Sequence, residues 1–222
     1  LVAMGKRVRI WCSTPSPENL ACLERETPEF EAKFVVTVDT ASIKLLGDGD
    51  IRNTHVHLCI DHHPSNNGYA DETFLSDYSS AGETVMDVLR EMGATITPSM
   101  ATALFAAISS DTGSFKYSST TATTLQYGAD LLRAGADKDL VRVKLYESKS
   151  RPQVLVEASA LSDCQFFVDG RLAVVSVPLE LLSRFGADES ELEGLASKPI
   201  EIMGVDIAIT IKERPDKSVR VS

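Results

Sequence analysis

Short apolar runs alternate with amphipathic stretches through the first half of the chain. After a turn at Gly5, Val8–Cys12 reads as a strand, following an opening that looks like part of a helix. Phe34-Val35-Val36-Thr37-Val38 is β-branched and almost continuously apolar, the character of a strand covered on both faces. His55-Val56-His57-Leu58-Cys59-Ile60 resembles it. Amphipathic helical patterns follow at about Ala81–Glu91, Ser99–Ser110, Thr121–Ala134 and Leu140–Tyr146. Strands alternating with helices predict an α/β fold built on a parallel sheet.

The pattern changes at Glu147-Ser148-Lys149-Ser150-Arg151-Pro152, a polar stretch that reads as a linker leading into an amphipathic connector ending near Leu161. Cys164–Val168, an Asp169-Gly170 turn and Leu172–Val177 then predict a β-hairpin, because Asp-Gly between two apolar runs is a strong short-range signal. A helix over Pro178–Phe185, with Pro at its start, and strands over Ile200–Lys212 and Val219–Ser222 complete the pattern. The expected organisation is a parallel-sheet domain over 1–148, a linker helix over 149–162 and a smaller α/β domain over 163–222.

Composition narrows the function. The 222 residues carry 22 Lys and Arg against 32 Asp and Glu, a formal charge of −10, with 43% hydrophobic and 24% charged residues. That balance suits a globular protein and argues against binding duplex nucleic acid through a basic surface. If the protein handles phosphate, a local device such as a metal must attract it. No apolar run approaches the roughly 18–20 residues of a membrane helix. The four cysteines, Cys12, Cys22, Cys59 and Cys164, form no C-x-x-C pair, which fits reduced thiols and a cytoplasmic protein without a signal peptide.

Three features sit where an open α/β sheet places its ligands, just past the carboxyl ends of strands. Asp39 follows Phe34–Val38 and can either cap the next turn or ligate a divalent cation. Asp61-His62-His63 follows Ile60. Adjacent imidazoles in a turn can point different ways, one to a metal and one to a substrate phosphate, with the neighbouring carboxylate fixing a tautomer. His55 and His57 alternate along a strand and read as structural. Asp111-Thr112-Gly113-Ser114-Phe115 ends an apolar helix. It can be a plain C-terminal turn, or its amides and the hydroxyls of Thr112 and Ser114 can cradle a phosphate near Lys116. Ser80-Ala81-Gly82-Glu83 has the spacing of a capping box.

In this order, Val38-Asp39-Thr40, Asp61-His62-His63-Pro64 and Asp111-Thr112-Gly113-Ser114-Phe115 resemble the motifs of the DHH superfamily of phosphoesterases. Ser79-Ser80-Ala81-Gly82-Glu83 resembles the family as well, and the second half resembles a DHH-associated substrate-binding domain. The run from Asp111 through Lys116-Tyr117-Ser118-Ser119-Thr120-Thr121 is most similar to the oligoribonuclease/pAp phosphatase branch. The resemblance implies that Asp39 bridges two Mn²⁺ ions, that His62 and Asp111 ligate the second, and that His63 contacts the scissile phosphate while Asp61 supports it. Thr112, Gly113, Ser114 and Lys116 would meet the substrate. Mg²⁺ and Co²⁺ suit the same donors. The family's first motif, a strand ending in His and Asp-x-Asp, and its glycine- and histidine-rich loop have no counterpart between Leu1 and Ser222. The expectation is therefore that these residues alone offer about half of the two-metal site and are inactive by themselves.

The implied activity is hydrolysis of short oligoribonucleotides and 3′-phosphoadenosine 5′-phosphate (pAp) by two-metal activation of water, by a homodimer on family analogy. Cyclic-dinucleotide phosphodiesterase, pyrophosphatase and single-strand exonuclease are same-superfamily alternatives. The last would want a basic channel with stacking aromatics, and only 6% of residues are aromatic. A nucleotide-binding relative without turnover is the alternative from another class.

Overall fold

A computed structural model describes residues 1–12, 20–23, 27–47, 50–192 and 194–222. The chain divides into two compact units, Leu1–Glu147 and Ser148–Ser222.

In the first unit, β1 (Val36–Val38), β2 (Leu58–Asp61) and β3 (Glu72–Leu75) form a parallel sheet in that order. Val38 pairs with Ile60 and Ile60 with Phe74. This register brings the carboxyl ends of β1 and β2 level, so Asp39 and Asp61–His63 emerge side by side. Helices α1 (Ala81–Glu91), α2 (Pro98–Asp111), α3 (Ala122–Arg133) and α4 (Lys138–Arg142) follow, the last continued by a π-helical turn over Val143–Glu147. The capping box is present: Glu83 N–H donates to Ser80 Oγ at 3.4 Å, and Ser80 N–H to Glu83 Oε2 at 2.9 Å.

Met86 of α1, Ala101, Leu104 and Ile108 of α2, and Tyr127 and Leu131 of α3 form the core of this unit. A Cβ on Gly82 would sit 3.1 Å from Ala107 Cβ and 3.2 Å from Ile108 Cγ1, so glycine lets the start of α1 lie against the last turns of α2. Ile108 is fully buried, one turn before Asp111. Its replacement by Ala is expected to cost about 3 kcal/mol in a urea titration, because the cavity cannot refill. A loss below about 1 kcal/mol would mean that α1 and α2 close over the gap.

Three features differ from the sequence reading. Val8–Cys12 forms no strand: Ile10 and Trp11 are exposed, and the Ile10 amide donates to the Thr27 hydroxyl rather than to a sheet neighbour. Among the described residues, strand β1 is covered on one face only, since Thr37 is buried while Val36 and Val38 are 40% and 48% exposed. Third, Glu72–Leu75 is a strand that apolar patterning did not indicate.

The second unit opens with α5 (Arg151–Ser162), whose Val156 and Ala160 are buried in that unit's core. Strands β4 (Gln165–Phe167), β5 (Leu172–Val177), β6 (Ile207–Glu213) and β7 (Val219–Val221) form a mixed sheet, with β5 and β6 parallel and both edges antiparallel. The expected hairpin is β4–β5. Phe167 pairs with Leu172, so the loop Val168–Arg171 centres on Asp169-Gly170 as expected; Val168 and Asp169 take φ of 51° and 53°, and the amides of Gly170 and Arg171 close on Phe167 O and Val168 O, both at 3.1 Å. Helix α6 (Leu179–Phe185) follows β5. The α/β class read from the sequence holds for both units.

Candidate metal centre

Asp39 is the first residue past β1. Its N–H still donates to Ile60 O at 2.9 Å, but its φ is 58°, a left-handed conformation that aspartate tolerates at some cost. The chain thus leaves the sheet at once and holds this carboxylate over the end of β2.

Asp61 ends β2 and is completely buried. Its Oδ1 accepts the His62 amide at 2.8 Å, the His63 amide at 3.4 Å and His63 Nδ1–H at 2.8 Å. Its Oδ2 accepts Asn66 Nδ2–H at 2.6 Å. Burial pushes this carboxyl up, but the hydrogen bonds from Asn66, His63 and the two amides outweigh it and hold Asp61 below the usual carboxylate range. An anion so fully committed is an organiser of the turn, and it has little left to offer a metal.

The two imidazoles point differently. His63 gives Nδ1–H to Asp61, which leaves Nε2 for another partner. The hydrogen bond to Asp61 raises the His63 pKa against the effect of burial, and the charges of Asp61, Asp39 and Asp111 add to the rise. His62 places Nδ1 3.2 Å from Tyr78 O, so Nδ1 carries the proton and donates it. Its other nitrogen, Nε2, then faces Asp39 Oδ1 at 3.3 Å and Asp111 Oδ2 at 3.6 Å. Asp111 is the last residue of α2.

One imidazole lone pair and two carboxylates therefore converge with the ring's proton tied away. Such a cluster repels itself unless a cation or a proton lies between its members. The repulsion is visible at Asp111, whose pKa is raised first by burial and then by the charge of Asp39, with Glu83 adding to it. Glu83 is fully buried, and its Oε1 has no hydrogen-bond partner. Asp39, His62 and Asp111 could thus hold a divalent metal. Nδ1 tied to a carbonyl is the usual arrangement of a ligating histidine. Asp39, Asp61, His62 and His63 also bring ligand atoms within 4.8 Å of one another.

The turn after Asp111 does not provide the expected phosphate cradle. Thr112 is fully buried, its hydroxyl donates to Ile108 O at 2.7 Å, and it accepts the Phe115 amide at 3.0 Å. The amides of Gly113 and Ser114 donate to Ser110 O and Ser109 O, and those of Lys116 and Tyr117 to Thr112 O. Thr112 is therefore a structural residue of the turn. Gly113, at φ 56°, is required by space, since a Cβ there would lie 2.4 Å from the Tyr117 ring. Ser114 and Lys116 are exposed.

Sequence reasoning missed two supports of the centre. The Tyr78 carbonyl has no sequence signal, because every residue supplies one. Asn66 stood inside a run of ordinary turn residues.

No family model matches the chain. It is 25% identical over 194 residues to a probable bifunctional oligoribonuclease and PAP phosphatase NrnA of Streptococcus mutans, covering 87% of this chain and 62% of that protein. The Bacillus subtilis bifunctional oligoribonuclease and PAP phosphatase NrnA is 26% identical over 213 residues, covering 92% of this chain and 67% of that protein. The chain thus spans about two thirds of the length of these curated relatives. Among solved structures, an exopolyphosphatase-related protein from Bacteroides fragilis superposes with a TM-score of 0.78 at 24% identity, over 86% of this chain and 58% of that one. These similarities bear out the resemblance read from the three motifs, and the structural one shows the fold.

Proposed function

We propose that this chain carries part of the active site of a Mn²⁺-dependent phosphoesterase that hydrolyses short oligoribonucleotides and pAp. The observation that carries this reading is His62: its Nδ1–H is tied to the Tyr78 carbonyl and its Nε2 is turned between Asp39 and Asp111. The substrate class rests on the two curated relatives, each of which is an oligoribonuclease and PAP phosphatase by name. In this reading the first unit is the DHH domain and the second its substrate-binding partner.

Asp39, His62 and Asp111 would hold the metal, and Asp39 would be the residue shared with a second ion if one binds. The metal supplies neutralisation of phosphoryl oxygens and a lowered pKa for attacking water. His63 acts beside it. With Nδ1–H fixed on Asp61, its ring leaves Nε2 for a phosphoryl oxygen, to which it donates when protonated. Asp61 orients and charges that ring without entering the reaction. In this reading Ser114 and Lys116, both exposed, would offer a substrate phosphate a hydroxyl and an ammonium, while Gly113 contributes the tight turn. The acidic composition is compatible with this chemistry, because the cation rather than the surface attracts the anion.

The test is a substrate panel on the native protein: a dinucleotide, pAp, a long single strand, cyclic-di-AMP and pyrophosphate. Turnover is expected on the first two, lost on chelation and restored by Mn²⁺. Tight binding of pAp without turnover at saturating Mn²⁺ would replace this reading with that of a nucleotide-binding relative.

A further inference from the structure

The candidate metal centre leaves two of the four histidines unused. His55 and His57 lie two apart on the chain that leads into β2, and Val56 between them is buried. Both rings therefore project to the outer side, where they meet edge-on with centroids 4.7 Å apart. Asp71 reaches them from the chain leading into β3. Its amide is fixed on Val56 O at 3.1 Å, and its Oδ2 lies 2.8 Å from His55 Nε2. One ligand atom from each of His55, His57 and Asp71 lies within 4.8 Å of the other two. The Phe34 ring stacks on His57 at 4.8 Å and limits its rotation.

We propose that His55, His57 and Asp71 form a second metal site, taking Zn²⁺ or a similar borderline divalent ion at the amino end of the parallel sheet. Two imidazoles from alternate positions of an extended segment and a carboxylate from the neighbouring strand are a donor set suited to tetrahedral zinc, with solvent completing the coordination. The exposure of His55 and Asp71, at 67% and 52% of their side chains, leaves that position open to water. The site is separate from the candidate catalytic one. His57 and Asp61 are four residues apart along the same extended run, about 13 Å at the rise of a strand. A bound ion would tie together the lead-in segments of β2 and β3, so the role is structural.

Loading has a specific signature. At present the Val35 amide donates to His57 Nδ1 at 3.1 Å. If the ion binds Nδ1, that lone pair is taken. If it binds Nε2, the ring proton moves to Nδ1. In both cases Val35 N–H loses its acceptor.

The test uses the full chain carrying Asp39→Ala and His62→Ala, which disables the candidate catalytic centre. It is stripped of metal and titrated with Zn²⁺ by calorimetry while the Val35 amide resonance is followed. One equivalent is expected to bind in the micromolar range or tighter and to shift the Val35 resonance. Adding His55→Ala should weaken binding by at least about 10-fold. His55 is exposed, so its removal leaves the fold intact, and Asp71→Asn provides an independent check. The exposed Cys12 and Cys22 are present in every arm, so the difference between arms is the reading. Binding unchanged by both substitutions, or no binding in the micromolar range, would overturn the site.

Discussion

Asp39→Ala is expected to abolish Mn²⁺-dependent release of mononucleotide from a dinucleotide and to weaken Mn²⁺ binding by at least about 100-fold, the upper end of what losing even an outer partner of a metal costs. The argument is geometric. Asp39 Oδ1 lies close to both imidazoles, 3.3 Å from His62 Nε2 and 3.6 Å from His63 Nδ1, so its removal opens the centre from one side. The fold should persist, because the side chain is half-exposed and its amide keeps the bond to Ile60 O. Asp39→Gly separates function from strain. Glycine adopts φ 58° freely, so the metal-free Gly variant should be more stable than the Ala variant by about 1 kcal/mol in denaturant, with both equally inactive. Equal stability of the two would show that the left-handed conformation stores nothing. Retained hydrolysis in either would remove Asp39 from the mechanism.

Asp61→Ala should be the more damaging substitution for the protein itself. Four donors converge on this buried carboxylate: two amides, the His63 ring and the Asn66 amide group. Deleting their acceptor is expected to cost about 3 kcal/mol and to release both histidines. Asp61→Asn keeps the volume but sets an NH₂ group against Asn66 Nδ2, now 2.6 Å away, so Asn66 must move. The pH dependence follows from the two shifts. His63 titrates above 6.5, so its contribution to the stability of the metal-free protein is fully present below that value and is lost as pH rises through the raised one. Asp61 titrates below 3.8, so its contribution is present above that value and is lost as pH falls through the lowered one. In Asp61→Asn, the His63 pKa followed by NMR should drop back toward the free-histidine value. An unchanged titration would mean that Asp61 does not hold the ring.

Much of the centre was legible because its carboxylates and imidazoles follow directly on apolar runs. Phe34–Val38 ends at Asp39 and His57–Ile60 ends at Asp61-His62-His63, and a parallel sheet sends both strand ends to one edge. Asp111 was legible as the end of an apolar helix. What packs against a strand is less visible. The apolarity of Val36 and Val38 suggested cover on both faces, yet the residues described leave them open. Strand β3 went unseen because Asp71 and Glu72 precede only a short Thr73-Phe74-Leu75 run, and three of its four residues are exposed. Thr112 was misread for a related reason. A hydroxyl beside a glycine turn looks available in sequence, whereas here the helix end and the turn absorb both its donor and its acceptor. Roles carried by backbone groups, above all the Tyr78 carbonyl, leave no trace in residue identity.

The most direct test is anomalous diffraction at the manganese edge from a crystal of the protein equilibrated with Mn²⁺. The account predicts a peak bounded by Asp39, His62 Nε2 and Asp111, with Asp61 still bonded to His63 and Asn66. A peak ligated by Asp61 instead, or the absence of any peak between Asp39 and Asp111, would contradict it.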